Sequence, residues 1–246
     1  MVKPHLVLLH GWGLNRGVWQ SLIPRLESFY RVTALDLAGF GSESDRPVAD
    51  LEQMVERLAE QVSESSVWLG WSLGGMVALR LAARFPAKVS KLIMVAASPR
   101  FVQAENWPSA TKAEVLVGFS SALRENLSVT LQRFLALQVR GSADSKAVLK
   151  QLKVALAAGG AASEASLLLG LHILNTADLR SDLQQLKPPL AVFLGERDGL
   201  VPQAVAESLL QLRSDLQIEL FPNAGHAPFL SHPELFTAKL RAFTDG

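Results

Sequence analysis

The sequence predicts an α/β fold: a mostly parallel sheet of about six strands, flanked by helices and interrupted by a helical insertion. Short apolar runs alternate with segments of helical periodicity over residues 1–100 and again over residues 187–246. Strands that alternate with helices pair in parallel, because each helix returns the chain to the edge where the previous strand began. The 246 residues, 49% of them hydrophobic, are enough for one large core of this kind.

The predicted strands are short apolar runs that end at a glycine or a polar residue. They cover residues 5–10, 30–35, 67–71, 91–96, 190–194 and 217–221. The predicted helices are segments whose apolar residues recur every three or four positions. They cover residues 19–29, 51–62, 74–85, 204–212 and 233–243. The order of these elements predicts a parallel sheet with helices on both faces.

Residues 101–186 interrupt the alternation with helical periodicity and no convincing strand. We therefore expect a core made of residues 1–100 and 187–246, with residues 101–186 forming a lid or cap. Ligands of open α/β sheets bind at the carboxyl ends of the strands, and the insertion follows one of those ends. The predicted lid should cover the functional site.

Composition excludes several functional classes. The net charge of +1 gives no general field for a nucleic acid or a membrane surface. No apolar run approaches the roughly 18 residues of a membrane-spanning helix, and residues 6–9 are too short for a signal-peptide core. The absence of cysteine excludes disulfides, thiolate metal sites and a cysteine nucleophile. A cytoplasmic monomer is the expectation.

Ser72 is the candidate nucleophile. It lies in Gly70-Trp71-Ser72-Leu73-Gly74, between a predicted strand and a predicted helix. A turn sharp enough to project the serine Oγ needs small flanking residues, which the two glycines provide. The five-residue pattern alone also fits a structural turn, but its strand–turn–helix context favours the nucleophile.

A serine nucleophile needs a base and a residue that orients the base. His226 follows the last predicted strand, and Asp198 follows the strand before it, at the same edge of the sheet as Ser72. His232 and Glu196 are the weaker alternatives for base and acid. The chain order Ser72, Asp198, His226 is typical of α/β-hydrolases, whose chemistry needs neither metal nor cofactor.

The oxyanion of such a reaction needs two backbone donors. One is the N–H of Leu73, directly after the nucleophile. The other is expected in the loop His10-Gly11-Trp12-Gly13, where the glycines allow close approach and the Trp12 N–H is the candidate. Plain core packing is the alternative for the Trp12 indole, and His10 is expected to pack beneath the loop.

Several stretches together resemble one family of esterases over nearly the whole chain. The chain resembles the pimeloyl-[acyl-carrier protein] methyl ester carboxylesterases of biotin biosynthesis in LVLLHGWGLN, ALDLAGFGSE, VWLGWSLGGMVA, RFLALQ, DGLVP and NAGHAPFLSHP. The resemblance implies an α/β-hydrolase fold and hydrolysis of the pimeloyl-carrier methyl ester to methanol and pimeloyl-carrier protein, together with small esters. It implies a substrate pocket formed by Trp12, Ser72, Leu73, Phe134, Leu135, Ala136, Leu137, Gln138 and His226. Related chains usually have a further N-terminal hairpin, so about six strands rather than eight are expected here, with a more exposed sheet edge.

The insertion also carries a cluster of positive charge. Between residues 124 and 153 there are six basic and two acidic side chains. Lys146, Lys150 and Lys153 share one helix face, and Arg133 and Arg140 share another if their segment is helical. An acidic acyl carrier protein would fit such a surface, as the resemblance implies, whereas a solvated lysine face is the plain alternative. A generic carboxylesterase, a carbon–carbon bond hydrolase and a non-catalytic binding module remain the rival functions.

Overall fold

The computed structural model describes residues 3–160 and 162–246, and a six-stranded parallel sheet forms its centre. The strands are β1 His5–Leu9, β2 Arg31–Leu35, β3 Ser66–Trp71, β4 Val89–Val95, β5 Leu190–Gly195 and β6 Gln217–Phe221. Their order across the sheet is β2-β1-β3-β4-β5-β6, and every neighbouring pair is parallel. The predicted α/β class and number of strands are confirmed.

Helices pack on both faces of this sheet. The helices are α1 Ile23–Leu26, α2 Leu51–Gln61, α3 Leu73–Arg84, α4 Ala113–Glu125, α5 Leu127–Val139, α6 Ser145–Ala158, α7 Glu164–Thr176, α8 Arg180–Gln185, α9 Val205–Leu212, α10 Pro228–Ser231 and α11 Pro233–Asp245. Helices α2, α3 and α9 bury side chains in one core cluster, whereas α1, α10 and α11 bury theirs in the other. Strand β1 supplies both clusters, with Val7 and Leu9 on one face and Leu6 and Leu8 on the other.

The helix predicted over residues 19–29 is wrong. A 3-10 helix covers Arg16–Trp19, and the α-helix α1 has only four residues. Pro24 lies in the first turn of α1, where its missing N–H is tolerated. A helix running into Pro24 from residue 19 would lose a backbone hydrogen bond and clash with the proline ring.

The insertion between β4 and β5 contains the helices α4 to α8. Its two connections to the sheet meet at one place, because Arg100 and Asp178 form an antiparallel bridge and the Leu179 N–H donates to the Pro99 carbonyl at 2.8 Å. In the portion of the chain that the structure describes, no helix has both the length and the apolar character needed to cross a bilayer.

Asp178 holds these two connections together and gives a testable pH dependence. Its carboxylate accepts hydrogen bonds from Arg180 Nη2 at 2.6 Å and from Arg100 Nη1 at 2.7 Å. The hydrogen bond from Arg180 is the main reason that the pKa of the Asp178 carboxyl is lowered to about 2. A lowered pKa in the folded state stabilises the protein above the unfolded value, and this stabilisation is lost as the pH falls toward about 2.

We expect the difference in unfolding free energy between the wild type and Asp178→Asn to shrink as the pH is lowered from about 5 to about 3. Urea denaturation of both proteins at several pH values measures that difference. A difference that stays constant over this range would show that Asp178 titrates alike in the folded and unfolded chains.

Candidate active site

Ser72 lies at the sharp turn between β3 and α3. Its φ of 55° and ψ of −118° are unusual for a residue with a side chain, and its N–H donates to the Val95 carbonyl at 2.9 Å. A Cβ at Gly70 would lie 2.2 Å from the Gly74 carbonyl oxygen, and one at Gly74 would lie 2.4 Å from the His10 carbonyl oxygen. Glycine is therefore required at both positions for the turn to form.

Asp198 and His226 are brought together at the carboxyl ends of β5 and β6. His226 Nδ1 and Asp198 Oδ2 are 2.8 Å apart, and both side chains are buried. Asp198 Oδ1 accepts the backbone N–H groups of Leu200 at 2.8 Å and Val201 at 3.0 Å. An ionised carboxylate only accepts, so Nδ1 carries the ring hydrogen and Nε2 is the basic nitrogen.

The backbone of His226 is fixed by two neighbours. Its N–H donates to the Gln138 carbonyl of α5 at 3.0 Å, and its own carbonyl accepts from Trp71 Nε1 at 2.7 Å. His226 is thus tied to the residue that precedes Ser72. Its Nε2 is buried and has no hydrogen-bond partner among residues 3–160 and 162–246, so the Ser72 hydroxyl does not bond to it in this conformation. Catalytic hydrogen bonds are often longer before substrate binds, and rotation about the serine Cα–Cβ bond moves Oγ without moving the backbone.

The backbone N–H groups of Trp12 and Leu73 have no acceptor in the described part of the chain. Leu73 is the first residue of α3, where N–H groups are unpaired and the helix dipole is positive. A Cβ at Gly11 would lie 3.1 Å from the Trp71 ring and 3.3 Å from Ser72 Cβ. The loop that carries Trp12 therefore packs directly against the turn that carries Ser72.

The Trp12 side chain forms an aromatic wall beside this loop. Its indole N–H donates to the Leu167 carbonyl of α7 at 2.8 Å, and its ring meets Phe134 edge-on at 4.6 Å between centroids. Phe134 in turn meets Phe119 of α4 at 5.3 Å. A Cβ at Gly170 would lie 2.5 Å from the Trp12 ring, which explains a glycine within α7. Sequence motifs gave no signal for Phe119, Leu167 or Gly170, since these contacts join residues far apart in the chain.

The helix period of α5 directs the side chains of residues 134–138 into different surroundings. Phe134 and Gln138 are buried, and the Gln138 Oε1 has no partner in the described structure. Leu135 is buried in the opposite core cluster, and Leu137 is half-buried. Ala136 is exposed, since it lies about 200° around the helix from Phe134. The assignment of Ala136 to the substrate pocket stays a prediction, and its side chain is exposed.

The remaining candidates have structural contacts of their own. His10 Nδ1 bonds the Gly11 carbonyl at 2.8 Å, and His10 Nε2 accepts the Leu37 N–H at 3.0 Å. Burial lowers the pKa of His10, so the ring is neutral and fixes the loop as expected. His232 Nδ1 contacts Ser231 Oγ at 2.8 Å, and Glu196 accepts the Asn223 N–H at 2.8 Å. Within the described ranges, no three His, Asp or Glu side chains are grouped closely enough to hold a metal ion.

The five basic residues of the predicted docking surface are all exposed. Three lie on α6, one on α5 and one directly after α5: Lys146, Lys150, Lys153, Arg133 and Arg140. None of them forms an ion pair with a residue that the structure describes. Their charges are therefore available to a partner.

Comparison with known proteins places the chain in a family. Residues 4–233 match the alpha/beta hydrolase fold family. A pimeloyl-[acyl-carrier protein] methyl ester esterase from Proteus mirabilis (strain HI4320) is 45% identical over 239 residues, which cover 97% of this chain and 91% of that protein. The chain belongs to the pimeloyl-[acyl-carrier protein] methyl ester esterase family. A second esterase of this name, from Edwardsiella ictaluri (strain 93-146), is 43% identical over 244 residues, 99% of this chain and 94% of the relative.

Solved structures agree on the fold of this esterase family member. An esterase (EaEST) from Exiguobacterium antarcticum superposes with a TM-score of 0.87 at 22% identity, covering 100% of this chain and 93% of that chain. A bromoperoxidase from Bacillus anthracis superposes with a TM-score of 0.88 at 22% identity and the same coverage. At this level of identity the superpositions establish the fold alone.

Proposed function

We propose that this esterase hydrolyses the methyl ester of pimeloyl-[acyl-carrier protein] in biotin biosynthesis, releasing methanol and pimeloyl-carrier protein. The observation that carries the proposal is the buried Asp198–His226 hydrogen bond beside the strained Ser72 turn. The names of the relatives supply the substrate. A cytoplasmic location and a monomeric state are part of the same proposal.

In the first half of the reaction, Ser72 Oγ attacks the ester carbonyl carbon while His226 Nε2 accepts the hydroxyl proton. Asp198 stabilises the imidazolium that forms, because its carboxylate accepts the Nδ1 hydrogen. The N–H groups of Trp12 and Leu73 receive the oxyanion, and each donor is worth about 3 kcal/mol of barrier. Nε2 is free for this task because no described residue bonds to it.

In the second half, the bond between the carbonyl carbon and the methoxy oxygen breaks, and His226 donates its proton to the departing methanol. Water then attacks the acyl-enzyme, and His226 accepts a proton from it. The second tetrahedral intermediate breaks down to release the carboxylic acid and restore the Ser72 hydroxyl. Asp198 accepts the Nδ1 hydrogen of His226 in both halves of the reaction.

The site is closed in this structure, since Ser72 and His226 are only 2% and 1% exposed. A cleft of about 320 Å³ lies beside the Trp12 loop and is lined by Gly13, Leu131 and Leu156 among others. We assign this cleft, between the loop and helices α5 and α6, as the approach for the acyl chain. Residues 101–186 then act as a lid over the site, and Phe134 contributes its apolar wall.

Turnover of a purified pimeloyl methyl ester on a carrier protein tests the proposal against its rivals. We expect release of methanol, with a kcat/KM well above that for p-nitrophenyl butyrate. Hydrolysis of the p-nitrophenyl ester with no reaction of the carrier-protein ester would indicate a generic carboxylesterase. Failure on both esters, with no labelling of Ser72 by a fluorophosphonate, would indicate a non-catalytic binding module.

In this proposal, the exposed lysine and arginine side chains of α5 and α6 form the surface that binds the carrier protein. Charge complementarity steers association and sets register, so its loss mainly affects the rate of encounter. We expect Arg133→Glu and Lys150→Glu each to lower kcat/KM for the carrier-protein ester about 10-fold, because each reversal places a negative charge against an acidic partner. The kcat/KM for p-nitrophenyl butyrate should stay unchanged.

Lys187→Glu is the matched control for these charge reversals. Lys187 is exposed, forms no ion pair with a described residue, and precedes β5 at the opposite edge of the sheet. Full activity of Arg133→Glu and Lys150→Glu on the carrier-protein ester would exclude this docking surface while leaving the esterase activity intact.

A further inference from the structure

A buried asparagine links the lid to the loop that carries Trp12. Asn15 ends that loop, and only 2% of it is exposed. Its Oδ1 accepts the Gly17 N–H at 2.8 Å, and its Nδ2 donates to the Ala155 carbonyl at 2.8 Å. Ala155 is among the last four residues of α6, whose carbonyls lack partners inside the helix. Asn15 therefore caps a lid helix from the core.

The side-chain amide of Asn15 is held tightly between glycines. A Cβ at Gly159, the residue after α6, would lie 2.1 Å from both Asn15 Cγ and Nδ2. A Cβ at Gly17 would lie 2.8 Å from Asn15 Oδ1. Both glycines therefore approach the amide more closely than a residue with a side chain could.

Two further lid helices contact the same loop. The Trp12 indole N–H donates to the Leu167 carbonyl of α7, and a Cβ at Gly13 would lie 3.0 Å from Leu131 of α5. On the core side, His10 anchors the first residues of the loop. The backbone N–H of Trp12 thus lies between a core anchor and the lid, and its position depends on where the lid sits.

We propose that Asn15 is a positioning residue, whose bond to α6 places the Trp12 N–H for the oxyanion. Seating of the lid and completion of the oxyanion site are then one event. In this structure the bond is formed, so α6 already holds the loop that carries the second donor in place. This inference rests on the proposed function, in which Ser72 is the nucleophile and Trp12 a donor.

Asn15→Asp separates the two hydrogen bonds of this side chain. An aspartate still accepts the Gly17 N–H but has no hydrogen to donate to Ala155. Asn15→Ala removes both bonds. If the link to the lid is what matters, both variants should lower kcat for p-nitrophenyl butyrate by about 10- to 100-fold, less than the full loss of a donor, with KM changed less than about 3-fold. A wild-type kcat in Asn15→Asp together with a low kcat in Asn15→Ala would overturn the proposal. It would show that only the hydrogen bond from the Gly17 N–H to Asn15 matters.

A trifluoromethyl ketone supplies a readout that a purely structural role would not change. Its serine adduct places an oxyanion where the tetrahedral intermediate has one. We expect Ki to rise in each Asn15 variant by the same factor as kcat/KM falls. Ser21→Ala is the matched control, since Ser21 Oγ bonds Gln151 of α6 at 3.1 Å without touching the loop. An unchanged Ki in the Asn15 variants, or an equal rise in Ser21→Ala, contradicts the proposal.

Gly159→Ala tests the link from the lid side, should the Asn15 variants fold poorly. The new methyl group displaces the Asn15 amide, and the same joint change in kcat and Ki is expected. Thermal unfolding of every variant shows which ones are folded. If Ser72→Ala retains activity, the proposed function fails. If the wild type requires Ser72 and folded Gly159→Ala retains wild-type kcat and Ki, only the role of Asn15 fails.

Discussion

Replacing Ser72 with alanine is expected to lower kcat by up to about a million-fold, for both p-nitrophenyl esters and the carrier-protein ester. The change removes the oxygen that forms the acyl-enzyme, and no other side chain at the turn can replace it. The fold should persist, because Ser72 contributes its backbone N–H to Val95 and its side-chain hydroxyl forms no hydrogen bond with a described residue. Steady-state kinetics and fluorophosphonate labelling measured by mass spectrometry check the prediction.

Ser98→Ala is the matched control for this variant. Ser98 is also buried and follows a neighbouring strand at the same sheet edge, where its hydroxyl donates to the Arg100 carbonyl at 2.9 Å. This variant should label with fluorophosphonate and retain activity within about 3-fold, as expected for the loss of one neutral hydrogen bond away from the chemistry. Substantial residual activity in Ser72→Ala would remove Ser72 from the mechanism.

The sequence predicts the sheet well because buried parallel strands are continuous apolar runs. Strand β6 matches the predicted residues 217–221, and β5 differs only by the addition of Gly195. The prediction of a helix over residues 19–29 was wrong because it followed the spacing of the apolar residues and neglected Pro24, which a helix interior does not tolerate. The candidate site residues could be proposed from the sequence because their motifs follow strands, and parallel topology brings strand ends to one edge.

The contacts that connect the lid to the site lie beyond the reach of local patterns. The Trp12 indole bonds a carbonyl 155 positions away, and Asn15 bonds one 140 positions away. Both acceptors are backbone carbonyls, which every residue possesses, so no residue type marks them. Once Phe134 is known to face Trp12, the helix period explains why the side chain of Ala136 is exposed.

Asp198→Asn is expected to lower kcat about 10,000-fold by reversing the tautomer of His226. An asparagine keeps one oxygen, and the N–H groups of Leu200 and Val201 both need that oxygen as their acceptor. Its NH₂ group must then point at His226 Nδ1 and donate to it, so the ring hydrogen moves to Nε2. A protonated Nε2 cannot accept the Ser72 proton. Steady-state kinetics measure the loss, and the ¹⁵N chemical shifts of the ring identify the protonated nitrogen.

Glu196→Gln makes the same isosteric change two residues away. It tests whether Asp198 or Glu196 is the acid that orients His226. Glu196 accepts the Asn223 N–H, a bond that a glutamine oxygen preserves, and His226 Nδ1 bonds Asp198 instead. We expect Glu196→Gln to retain kcat within about 2-fold, with the hydrogen still on Nδ1. The opposite result, a large loss in Glu196→Gln and none in Asp198→Asn, would reassign the acid. A loss in Asp198→Asn with the hydrogen still on Nδ1 would instead show that the charge of Asp198, and not its control of the tautomer, supports catalysis.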